Sequence, residues 1–110
     1  MIFLILLDTI ESCERFIEGM DFDEFVSDEK NTFVLRHPLK IIGEAVKHIP
    51  DEIRKEYISA PWRKISGTCD VMMIHAYFGV DLDVVWKTAN ERLPELKKDI
   101  EKILKEKNLY

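Results

Sequence analysis

Pro61-Trp-Arg-Lys-Ile-Ser-Gly-Thr-Cys-Asp-Val-Met-Met-Ile-His-Ala-Tyr-Phe-Gly79 decides the fold of this chain. Pro61 suits the opening of a helix, the apolar residues Trp62, Ile65, Val71, Met72, Met73 and Ile74 carry it past Gly67 to about Tyr77, and Gly79 ends it. The same grammar extends in both directions. Upstream, a helix is predicted from about Ile2 to Glu18 with its stop at Gly19, and Asp21 with Glu24 caps a short helix through Phe25. Ser27 or Asp28 opens a longer one that ends before Pro50, and Pro38 inside it predicts a kink or break near His37. A short helix follows from Asp51 to Tyr57. Downstream, Asp81 or Asp83 caps a helix with Val84, Val85 and Trp86, and Pro94 marks the first turn of the last one. That helix sets Leu96, Ile100, Ile103 and Leu104 against a charged side of Lys97, Lys98, Glu101, Lys102 and Lys105. No strand pattern, repeat, long heptad run or phosphate-binding glycine loop appears, and an all-α single domain over residues 1–110 is expected.

Composition narrows the functions open to such a domain. The chain has 110 residues, 46% of them hydrophobic and 34% charged, and a formal net charge of −5. An acidic balance argues against coating duplex DNA through a broad basic face, so any nucleic acid is expected at a local site. The apolar run from Met1 to Leu7 lacks a preceding basic residue and a small-residue cleavage site, and Asp8 interrupts it. It is too short to span a bilayer and reads as core helix, because Ile10, Cys13, Phe16 and Ile17 continue the pattern. A cytoplasmic location with no membrane association is the expectation. Cys13 and Cys69 have no CxxC spacing and sit in apolar contexts, which supports neither a zinc site nor a disulfide.

Few residues carry chemistry. His37 and His48 stand in charged or helix-end contexts and read as surface residues. His75 follows the apolar run Val71–Ile74, and an imidazole with an ordinary pKa of about 6.5 works as acid or base near neutrality. Asp70, five positions earlier, is a candidate to orient it. From the residues alone, His75 reads first as a packed core or interface histidine, ahead of a catalytic one, and Tyr77 as an amphipathic packing residue. Gly43, within a helix, costs about 1 kcal/mol relative to Ala, so close approach of another helix is expected there, within the domain or between two copies. Met72 and Met73 suit either internal packing or a helix-helix interface between copies.

Pro61-Trp-Arg-Lys-Ile-Ser-Gly67, His75-Ala-Tyr-Phe-Gly-Val-Asp81, Val85-Trp86, Leu93-Pro-Glu-Leu96, Ile41-Ile-Gly-Glu-Ala45 and Leu6-Leu-Asp-Thr-Ile-Glu11 together resemble the HepT-like branch of the HEPN superfamily, over nearly the whole chain. The resemblance implies an antiparallel helical bundle, a four-helix core plus short helices, that forms a homodimer with its motif helices meeting at a shared cleft. In HepT toxins that cleft is a metal-independent RNase site, so neither metal nor cofactor is expected. The family motif is an Arg, an adjacent polar residue, then His, any residue and Tyr, with four to six residues between Arg and His. His75 and Tyr77 match, and Asp70 takes the polar position. The Arg position is Cys69. A neutral thiol cannot orient phosphate as a guanidinium does, and Arg63, the nearest arginine upstream, would lie about 18 Å from His75 along a continuous helix. The resemblance implies His75 as general acid or base with Asp70 beside it. It also implies Tyr77 as acceptor of an AMP transferred by a cognate minimal nucleotidyltransferase antitoxin, the pair forming a type VII toxin-antitoxin system. With Cys69 in place of the Arg, the alternative is a weakened or silent HEPN partner of that nucleotidyltransferase. The segment Leu35-Arg-His-Pro-Leu39 carries one residue more than the family pattern, which a kink at Pro38 would absorb.

Overall fold

The computed structural model describes the backbone of residues 2–78 and 82–108, and their side chains except for residues 72–78. Seven α-helices and one π-helical turn account for most of it, with no strand among the described residues. The first helix, α1 (Ile2–Ile17), buries Phe3, Leu6, Ile10, Cys13 and Ile17 at alternating three- and four-residue spacings, which keeps them on one face. The N-terminal apolar run is therefore core helix as expected, and no described helix is long and apolar enough to cross a membrane. Gly19 follows with φ +76°, the left-handed conformation that glycine adopts without a Cβ penalty.

Acidic caps then start two helices. The Asp21 carboxylate accepts from the Glu24 amide at 2.8 Å at the head of α2 (Phe22–Val26), and Asp28 accepts from the Lys30 amide at 2.9 Å at the head of α3 (Glu29–Lys47). Each carboxylate satisfies an amide that the first turn leaves without a partner. Helix α3 continues unbroken through Pro38. The amide missing at Pro38 would have bonded the carbonyl of Val34, and Val34 is half exposed, on a face that solvent reaches. The expected break near His37 is absent for that reason. His37 and His48 are both exposed, and His48 forms the C-cap of α3.

A short α4 (Asp51–Glu56) reverses the chain. Arg54 ties it to the end of α3 by donating to the carbonyls of Ile49, at 3.1 Å, and Val46. Tyr57, the C-cap of α4, is buried and donates its phenol to Glu106. Next comes α5 (Trp62–Phe78), one continuous helix through Gly67. Its predicted stop at Gly79 and the predicted cap at Asp81 lie outside the described residues.

The C-terminal part departs from the sequence reading. Helix α6 (Leu82–Lys87) runs through a π-helical turn at residues 88–92 directly into α7 (Leu93–Glu106), with no loop between them. Pro94 occupies the first turn of α7 as expected. The widened turn lets the Leu93 amide donate to the Thr88 carbonyl five residues back, so the rod passes the proline without a gap. Trp86 packs against Phe25, with ring centroids 5.3 Å apart, and edge-on to Phe22 at 6.4 Å, which pins α6 over α2.

Packed together, the long helices lie in the order α7, α1, α3, α5, a helical bundle whose core includes Leu6, Ile10, Leu35, Ile42, Ile65, Leu96 and Ile100. Gly43 of α3 meets Cys69 of α5, and Leu82, just beyond α5, shares a cavity with Val26 and Asp28 at the head of α3. The two helices therefore run antiparallel.

Candidate active site

Helix α5 positions every residue of the candidate site. Its inner line is Trp62, Ile65 and Cys69, all buried, at the helical repeat that turns one stripe toward α3. At Cys69 the two backbones come unusually close: a Cβ built on Gly43 would lie 2.7 Å from the Cys69 Cβ. The close approach expected at Gly43 is thus within the domain. Position 69, where the family pattern has Arg, points into this contact and is 1% exposed. Burial chiefly, with the neighbouring Asp70 charge adding to it, pushes the thiol up to about 12, so it stays neutral at physiological pH. Cys13 is likewise buried and pushed up to about 11, and both thiols are free.

Asp70 lies on the outer surface. Its carboxylate accepts from the Lys47 ammonium at 2.8 Å, and Lys47 also reaches Glu44 at 3.1 Å. Those two bonds hold the Lys47 ammonium above its ordinary range. This bridge fastens α5 to α3 beside Cys69, a partnership the sequence reading missed. Lys47 and Asp70 are 23 positions apart in sequence, and only the packing of α5 against α3 joins them.

His75 and Tyr77 belong to the last turns of α5, and their side chains lie outside the described residues, as do those of Met72 and Met73. Helical register gives their backbone positions: residue 75 falls one turn beyond Val71, and residue 77 two turns beyond Asp70. Val71 is half exposed and Asp70 is exposed. Arg63 is exposed at the other end of α5. The unbroken helix keeps it about 18 Å from residue 75 along the axis.

Two features outside the motif also escaped the sequence reading. Near the start of α5, a groove of about 440 Å³ is lined by Arg54, Lys55, Arg63 and Lys64 with Asp51 and the exposed Ile58, a local basic surface on an acidic chain. At the head of α3, the Arg36 guanidinium sits 5.2 Å from the centroid of the Phe33 ring, and Phe33 is 61% exposed. Their i, i+3 spacing was visible in the sequence and marks side-chain neighbours on one helix face.

The chain matches known proteins along almost all of its length. The family described as "Ribonuclease HepT-like" matches residues 6–103. A protein named Probable ribonuclease HepT from Thermococcus cleftensis is 41% identical over 100 residues, covering 91% of this chain and 90% of that one. One named Putative RNase from Methanocaldococcus jannaschii is 40% identical over 101 residues, covering 92% of this chain and 86% of that protein. Another of the same description from Caldanaerobacter subterraneus subsp. tengcongensis is 41% identical over 98 residues, covering 86% and 87% of the two chains. No solved structure matches. An all-α bundle, a motif helix carrying His75 and Tyr77, and these relatives converge on one conclusion: the chain belongs to the HepT-like ribonuclease family of the HEPN superfamily.

Proposed function

We propose that this single-domain protein is a metal-independent endoribonuclease of the HepT type, acting on single-stranded RNA at a cleft between two copies of the chain and controlled at Tyr77. The observation that carries the reading is that Asp70, residue 75 and residue 77 lie in the C-terminal half of one continuous helix, anchored by the Cys69–Gly43 contact and the Lys47–Asp70 bridge. In the reaction, the RNA 2′-oxygen attacks the adjacent phosphorus and the 5′-oxygen leaves. His75 takes the proton from the nucleophile or delivers one to the leaving oxygen, and a cyclic phosphate remains. Asp70 orients the polar side of the site. The half-exposed Val71 on the same helix supports pairing with a second copy, for which light scattering should report twice the 13.0 kDa chain mass.

Tyr77 supplies control. A minimal nucleotidyltransferase that transfers AMP to its phenol would set a phosphate where the RNA phosphate must sit, and like charge then excludes substrate. The test of the reaction is cleavage of single-stranded RNA by the purified protein with chelator present. His75-dependent cleavage supports the reading, and complete inertness at high protein concentration removes it.

A second reading draws on Cys69. Because that position is a buried neutral thiol, the family's guanidinium is missing from the motif helix, which favours a silent partner that only binds the nucleotidyltransferase and presents Tyr77. Mass spectrometry after co-expression with the nucleotidyltransferase decides it: AMP on Tyr77 without RNA cleavage supports this reading. An unmodified Tyr77 with no complex on a sizing column excludes it.

A further inference from the structure

The motif helix lacks its guanidinium, yet the neighbouring helix carries one at the right height. Gly43 and Cys69 are level with each other where α3 and α5 touch. Arg36 lies seven residues toward the head of α3, about 10.5 Å at 1.5 Å per residue. Because the helices are antiparallel, the same distance along α5 from Cys69 reaches residue 76, between His75 and Tyr77. Leu82, four residues past the end of α5, lines the same cavity as Phe33 and Arg36, which agrees with that level.

The cavity has the chemistry of a nucleotide site. It encloses about 300 Å³ and is lined by Phe33, Arg36, Thr32, Asp28, Glu29 and Leu82, a volume at the lower end of the range for small-molecule pockets. Phe33 is largely exposed with the Arg36 guanidinium over its ring, and a guanidinium is the side chain whose forked donors match phosphate oxygens. Asp28 and Glu29 line the same cavity, and carboxylates repel phosphate but accept hydrogen bonds from the amino and imino groups of a base. These groups together suit a base in the cavity with its phosphate at Arg36.

We propose that Phe33 and Arg36 form a nucleotide-binding subsite for single-stranded RNA, the ring stacking one base and the guanidinium holding the phosphate that the buried Cys69 cannot reach. The subsite rests on the ribonuclease reading for its placement beside the reaction, but RNA binding there is separable from turnover.

The experiment measures fluorescence anisotropy of a labelled 2′-O-methyl oligoribonucleotide, which lacks the attacking hydroxyl, alongside cleavage of the unmodified RNA. Wild type is compared with Phe33→Ala, Phe33→Tyr, Arg36→Gln, Arg36→Lys and His75→Ala, each checked by circular dichroism and light scattering. Loss of the ring in Phe33→Ala should weaken binding about 5- to 150-fold, the range for removing a base-stacking aromatic side chain, and Phe33→Tyr should restore it. Arg36→Gln should reduce the slope of log affinity against log salt by about 0.7, one phosphate on a single strand. Arg36→Lys should recover that slope while leaving cleavage below wild type. His75→Ala should bind as wild type does and fail only in cleavage. If wild type cleaves and all four Phe33 and Arg36 variants bind and cleave like it, the subsite is wrong while the ribonuclease reading stands. Binding that depends on Phe33 and Arg36 without any cleavage upholds the subsite and removes the ribonuclease reading. A wild type that binds no RNA overturns the subsite, as does a Phe33→Ala protein that loses self-association with unchanged RNA affinity per dimer, because a second copy then covers that face.

Discussion

Two glycines on adjacent helices should respond to the same substitution with opposite signs. Gly67 of α5 is exposed and a Cβ there meets nothing within 4 Å, whereas a Cβ on Gly43 of α3 would sit 2.7 Å from the Cys69 Cβ. Carbon atoms in contact prefer about 3.5–4.0 Å, so Gly43→Ala must part the helices by roughly 1 Å. Neither Cβ can rotate away, because each is fixed to its backbone. Overpacking of this kind costs about 1–3 kcal/mol, and the rigidity on both sides puts this contact at the upper end. The helix preference for alanine returns about 1 kcal/mol, which leaves a net loss of about 2 kcal/mol. Gly67→Ala keeps the propensity gain alone and should stabilise by about 1 kcal/mol. Urea unfolding followed by circular dichroism measures both, with the slope checked for constancy. A double substitution identifies the contact responsible: Cys69→Ala retains the Cβ and should not rescue Gly43→Ala, whereas Cys69→Gly should, with a coupling of about 3 kcal/mol, the whole overpacking cost. A Gly43→Ala protein stabilised in parallel with Gly67→Ala would refute the close helix contact and, with it, the anchoring of the motif helix at Cys69.

Restoring the family's arginine should fail. Cys69→Arg forces a charge into the buried contact with Gly43, at a cost of about 3–5 kcal/mol, so its urea midpoint should collapse with no gain in RNA cleavage. A stable variant that cleaves faster would contradict this placement. Tyr57 carries a prediction in pH: its bond to Glu106, helped by burial, pushes the phenol up to about 12 from 10.0. A folded pKa raised above the unfolded one contributes stability that is complete below pH 10 and is lost as pH rises through about 12. The gap in Tm between wild type and Tyr57→Phe should therefore hold to pH 10 and shrink toward pH 12, and a gap that persists unchanged would show that the bond does not form. Asp21→Ala removes the acceptor for the Glu24 amide and should cost about 1 kcal/mol in urea unfolding. Unchanged stability would mean α2 does not depend on its cap.

Local signals were the legible part of the sequence. Gly19, Asp21 and Asp28 act through chemistry confined to a few residues, and each stands at a helix boundary as read. Signals with two structural solutions were not decided by sequence. Pro94 fits the first turn of a separate helix and equally a rod carried past it by a π-helical turn, because either leaves its missing amide without consequence. Pro38 likewise fits an unbroken helix once the carbonyl it leaves unpaired lies on a half-exposed face. The motif was recognisable in His75 and Tyr77 only by resemblance, since no spacing rule distinguishes a catalytic imidazole from a packed one. Cys69 was visible as a departure, but its burial against Gly43 and the Lys47–Asp70 bridge arise from how α3 and α5 meet, which no single helix encodes. Phe33 and Arg36 were present as an i, i+3 pair, and their height relative to His75 follows from the same meeting.

The most direct test of the account is the product of RNA treated with the wild-type protein and with a His75→Ala variant of equal helicity and equal mass in solution, analysed by mass spectrometry. Fragments ending in a cyclic phosphate from wild type, and none from His75→Ala, are the predicted result. Equal cleavage by both proteins, or no cleavage by either, would contradict a ribonuclease centred on α5.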